Sequence, residues 1–144
     1  MLDLDVDFLA RLGAVLCCLL MAACHQSADS GVPANSYRVD TISFKPDGPP
    51  QTIHDASVTP EFFEAANTRP LLGRTFLANE YLNNGQPVVI LSYPFWKLRL
   101  AADPLWLGRP LTLNGQPYTI VGVMPQIFAV PPEADVWTPV AKLN

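Results

Sequence analysis

Residue types that could do chemistry are sparse in this chain. It has two histidines, His25 and His54. His54 stands beside Asp55, and an imidazole with a carboxylate is the pairing used in acid–base catalysis. Adjacency cannot build a triad from them, and no serine lies in a nucleophile-elbow context. Glu133 and Asp135 flank one alanine, so on a strand both would project from one face and could hold a cation or move a proton. They follow Pro131-Pro132 and precede Trp137, which reads as a solvated turn. Gly73-Arg74 has the composition of a phosphate contact but no phosphate-binding loop around it, so Gly73 is expected to serve a tight turn before Thr75-Phe76. Trp96, Trp106 and Trp137 could line a ligand groove; their helical or strand spacing favours core positions. The three cysteines, Cys17, Cys18 and Cys24, all lie in the first two dozen residues, so the remainder can form no internal disulfide or thiolate metal site. No cofactor, metal site or catalytic residue is expected, and the chain does not read as an enzyme.

Composition narrows the class further. Charged residues make up 15% of the 144 and apolar residues 49%, enough for one packed domain with a terminal appendage. The net charge is −4, and no cluster of Lys and Arg exists to displace counterions, so no nucleic-acid partner is expected. Fifteen prolines, about twice the usual share, cluster between elements and point to short strands and turns.

Leu12 to Ala23 is an unbroken apolar run of twelve residues. A bilayer takes about 20, whereas a signal-peptide core takes 7–15. The run ends Met21-Ala22-Ala23-Cys24, which looks like a bacterial lipobox with Cys24 as the lipidated residue. Asp3, Asp5 and Asp7 outnumber Arg11 ahead of it, which fits a membrane-anchor remnant starting near Phe8 as the other reading. Residues 1–24 are therefore expected to address or anchor the chain, and the small polar stretch 25–36 to act as a flexible tether.

From residue 37 the pattern becomes that of a folded domain. Tyr37–Phe44 and Ile53–Val58 read as strands across a Pro/Gly turn. Thr59-Pro60-Glu61 carries a capping hydroxyl, a first-turn proline and an early acid, predicting a helix to Ala66 with Asn67 as its left-handed end. Pro87–Ser92 is an apolar, largely β-branched run suited to a strand buried on both faces. Ser92 can cap a helix over Tyr93–Ala102 with a Tyr93, Trp96, Leu100 stripe, stopped by Asp103-Pro104. Asn114-Gly115 within Leu111–Val123 is the preferred sequence of a tight hairpin with both turn residues at positive φ. Asp135–Val140 supplies a last strand. The expected fold is α+β (mixed α/β), a small layered domain with a mixed sheet, two short helices and a C-terminal β-hairpin.

Three ordered blocks carry a resemblance. VTPEFFEAANTRPLLGRTF (58–76), PVVILSYPFWKLRLAADPLWLGRPLTLNGQPYTIVGVMP (87–125) and EADVWTPV (133–140) together resemble the MacB-like periplasmic core domain of ABC transporter permeases of the FtsX-like, MacB type. Asn67, Gly73, Arg74, Gly108, Asn114, Gly115, Gly122 and Pro125 match that family's motif positions as structural residues. The resemblance implies an extracytoplasmic domain that transmits motion or contacts substrate, with permease transmembrane helices and a separate cytoplasmic ATPase as partners and the N-terminus at the membrane. The alternative is a free-standing lipoprotein module derived from that domain; a hydrolase built on His54 is remote. No apolar segment for channel-forming helices occurs after the third block, and no P-loop occurs anywhere, so transport by this polypeptide alone is not expected. The stretch ahead of Ile53 is shorter than in relatives. Residues 37–144 are therefore expected to be part of a core domain, with a sheet edge left open.

Overall fold

The computed structural model of the chain describes Pro33 and residues 36–143. The expected anchor segment with Cys24, and most of the tether with His25, lie outside the described residues.

Among the described residues, period-two patterning and turn chemistry give seven strands: β1 (Tyr37–Phe44), β2 (Gln51–Val58), β3 (Leu72–Gly73), β4 (Val88–Leu91), β5 (Pro110–Leu113), β6 (Gln116–Val123) and β7 (Val136–Pro139). In the same described residues, two short helices, α1 (Glu61–Ala66) and α2 (Tyr93–Arg99), and two 3-10 turns, Ala78–Tyr81 and Pro104–Trp106, fill the connections. The strands form one mixed sheet in the order β3-β6-β4-β7-β2-β1-β5, with β2–β7 and β4–β6 parallel. β5 also pairs along β6, so the sheet curls back on itself. The mixed sheet, the two helices and the hairpin expected from the sequence are all present.

Curling divides the core in two. β4 supplies Val88 and Ile90 to one cluster and Val89 and Leu91 to the other, because alternate side chains leave opposite faces. The outer cluster gathers Phe62 and Phe63 of α1 with Phe76, Phe128 and Trp137. The inner one joins Phe44, Ile53, Leu111, Leu113, Ile120 and Val136 to Phe95 and Trp96 of α2. Edge-to-face contacts hold the rings, Phe62–Phe63 at 5.0 Å and Phe44–Phe95 at 5.2 Å between centroids.

Helix ends differ from the expectation in two places. α2 stops at Arg99, because Ala101 and Ala102 adopt positive φ and reverse the chain. Asp103-Pro104 is then no stop signal: the Asp103 carboxylate accepts from the Leu105 N–H and starts the following 3-10 turn. At α1 the Thr59 hydroxyl caps nothing; it donates to the Ser36 carbonyl, since Thr59 is buried against the start of β1. Ser92 does cap α2, accepting from the Phe95 N–H at 3.3 Å.

The expected open edge is partly closed. β5 meets β1 at the single pair Phe44–Leu113. Among the described residues, no strand pairs with Tyr37–Ile42 on the side away from β2.

Candidate functional site

Gly73 and Gly122 face each other across the β3–β6 pair. Gly73 has φ +71, and a Cβ there would stand 2.1 Å from the Val121 carbonyl oxygen; one on Gly122 would stand 2.5 Å from that of Arg74. The glycines let two backbones touch, so Gly73 belongs to a strand contact and not to the expected tight turn. The seam aims Arg74 at Glu80, which the 3-10 turn presents. Both guanidinium ends donate to the carboxylate, at 2.8 and 3.0 Å, and the Leu77 N–H donates to it at 2.8 Å. Burial pushes the Glu80 carboxyl up, but these donors and the Arg74 charge outweigh it and hold the group below its usual value. Sequence reasoning missed Glu80, because a contact six residues away across an irregular turn leaves no periodic signal.

Beside this clamp runs an open groove of about 460 Å³ along α1. Phe63, Phe76 and Tyr81 form its apolar wall, with Glu64 and Arg69 at the rim. The Tyr81 hydroxyl is pushed up to about 12 by burial first and then by Glu64, Glu80 and Glu61.

Among the described residues, those with catalytic potential do not converge. His54 and Asp55 leave opposite faces of β2: His54 is exposed, and Asp55 is 7% exposed on the inner face. His54 instead meets Asp135, whose carboxylate accepts from the His54 backbone N–H at 2.9 Å and lies 3.6 Å from Nδ1. Asp135 is therefore half-buried and pins β2 to the start of β7, whereas Glu133 is exposed in the turn. Asp55 was not singled out as buried. One of its oxygens accepts from Thr138 at 2.7 Å and Ser57 at 3.4 Å, while the other has no partner. Among the described residues, no group of three His, Cys, Asp or Glu side chains is placed to hold a metal ion. Trp137 and Trp96 are core residues; Trp106 is half-buried under the Arg109 guanidinium at 5.7 Å.

The remaining motif residues set backbone paths. Asn67 ends α1 at φ 47, its N–H donating to Phe63. Asn114 and Gly115 have φ 48 and 77 and make the β5–β6 turn. The Asn114 side chain also accepts from the Ser43 N–H at 2.9 Å, which stitches the hairpin tip to β1. Gly108 has φ +85 with open space around it, and the Pro125 carbonyl accepts from Phe128 in the loop after β6.

Comparison with known proteins places this arrangement. A search of curated proteins returned no match. Among solved structures, the extracellular domain of the ABC-type transporter YknZ from Gram-positive bacteria aligns with a TM-score of 0.60 at 20% identity, covering 79% of this chain and 57% of that one. The periplasmic region of MacB from Actinobacillus actinomycetemcomitans aligns with a TM-score of 0.59 at 16% identity, covering 85% and 55%. The chain thus spans just over half the length of each and shares their fold. Residues 21–144 match the family described as the MacB-like periplasmic core domain, and the chain belongs to that family.

Proposed function

We propose that this chain works as the extracytoplasmic part of a MacB-like ABC transporter permease, contacting substrate or partner and passing on motion driven by a separate cytoplasmic ATPase. The observation that carries the reading is the family match over residues 21–144. The fold supports it: a curled sheet with packed cores on both faces is stiff, as a part that transmits displacement must be. Residues 1–24 would anchor the chain, 25–36 tether it, and 37–144 form the working domain, performing no bond chemistry. The aromatic-walled groove along α1 is the contact surface we assign. No helix among the described residues is long and apolar enough to cross a membrane.

Antibody against the folded domain, applied to native membranes, tests this. The expected result is co-purification of membrane-spanning permease segments and an ATPase. Recovery of a polypeptide of 15.8 kDa with neither would sink the proposal. The second reading, a free-standing lipoprotein binding module, rests on Met21-Ala22-Ala23-Cys24. It requires Cys24→Ala to release the protein from membranes, and unchanged fractionation removes it.

A further inference from the structure

We infer that the open edge of β1 is a self-pairing surface, on which a second copy of this chain adds its own β1 antiparallel about a two-fold axis at Val39.

The backbone orientation sets which residues are available. The Ser43 carbonyl accepts from Asn114 N–H at 2.8 Å and the Ser43 N–H donates to the Asn114 side chain, so Ser43 turns its main-chain groups away from β2. Lys45 does the same, donating to the Thr112 carbonyl. Alternation along an antiparallel strand then turns Tyr37, Val39 and Thr41 toward the open side, while Arg38, Asp40 and Ile42 pair with β2. Three consecutive donor–acceptor sets therefore stand free of strand partners among the described residues.

The devices that usually blunt an edge are missing. β1 contains no proline and no lysine, and its register with β2 runs unbroken from Tyr37 to Phe44 without a bulge. The charges it does carry are complementary to themselves. With Val39 opposite Val39 of the second copy, Tyr37 faces Thr41, and each Arg38 faces Asp40 of the other copy. That register joins about six main-chain hydrogen bonds to two opposite-charge cross-strand pairs. Sliding by one hydrogen-bonding step in either direction sets Asp40 against Asp40 or Arg38 against Arg38, which disfavours both neighbours. Arg38 and Asp40 already share a 2.9 Å ion pair within the strand, with side chains 56% and 49% exposed, so four alternating charges would form one ladder across the axis.

Sedimentation equilibrium of the full chain in density-matched detergent tests the surface. The expected result is a dimer. Val39→Pro removes the central donor on an edge that tolerates proline, and is expected to weaken dimerisation at least tenfold while the urea-unfolding transition persists. Arg38→Asp and Asp40→Arg should each weaken the dimer, and the double exchange R38D/D40R should restore it, because the exchanged charges again face each other in this register. A wild-type chain that stays monomeric, a dimer indifferent to Val39→Pro, or a double variant no better than the singles each overturns the proposal.

Discussion

Asp55 sets a pH dependence that can be worked from its surroundings. The carboxyl is 7% exposed on the inner face of the sheet, with one oxygen held by Thr138 and Ser57 and the other unpartnered. Burial raises it from 3.8 to about 6; the Thr138 and Ser57 hydroxyls oppose the rise, and Asp40 on the neighbouring strand adds to it. Between those two values the folded protein holds a proton that the unfolded chain has released. Stability therefore falls as pH rises through that window. The fall amounts to about 3 kcal/mol by pH 7, taking 1.36 kcal/mol for each tenfold change in acidity between 3.8 and about 6. Asp55→Asn keeps an acceptor for Thr138 and cannot ionise. Its amide N–H groups lack an acceptor, which costs about 1–3 kcal/mol at every pH. The assay is urea unfolding followed by tryptophan fluorescence from pH 4 to 7.5, plotted as wild type minus variant. That difference should drop by about 2.5 kcal/mol across the range, since the unfolded chain is already partly ionised at pH 4. Thr138→Val, which removes the stronger of the two hydroxyl donors, should steepen the wild-type fall. Parallel curves for wild type and Asp55→Asn would refute the reasoning, because other titrating groups are common to both.

Three further outcomes follow from the packing. Gly122→Ala drives a methyl group into the Arg74 carbonyl and should destabilise by about 2 kcal/mol or more, whereas Gly108→Ala, at positive φ in open space, should cost about 1 kcal/mol; equal thermal shifts would contradict the close β3–β6 approach. Trp137→Ala empties a site that is 1% exposed between Phe63 and Phe128 and should cost about 3–5 kcal/mol in denaturant unfolding. Glu80→Gln should cost about 1–2 kcal/mol at pH 7, discounted because Arg74 is 43% exposed. Glu80 sits below its usual value, so its contribution is present at neutral pH and is lost as pH falls below 4.5; the gap between wild type and variant should close there in calorimetric melting temperatures.

Legibility followed the range of the interactions. The β5–β6 hairpin was readable because Asn114 and Gly115 determine the turn by their own φ preferences, without help from distant residues. β4 was readable from its unbroken apolar run, and the end of α1 from Asn67. The end of α2 was misread, since the Trp96 indole donates to the Asp103 carbonyl and the chain reverses through Ala101 and Ala102 to allow it. Gly73 was noticed for a turn it does not make, because a backbone contact with Gly122, 49 positions away, has no local signature. Glu80 and Asp55 went unrecognised as buried charges for the same reason.

By itself the sequence determined the α+β class, most of the strands and both short helices, all of which depend on residue type and nearest-neighbour periodicity. Only the tertiary structure decided that the sheet curls to bring the hairpin strand β5 onto β1, that Gly73 meets Gly122, and that no described strand pairs with Tyr37–Ile42 on the outer edge of β1. These depend on strand order and register, which join residues tens of positions apart, and loop closure over such distances is directed by the whole packed core and not by any local pattern.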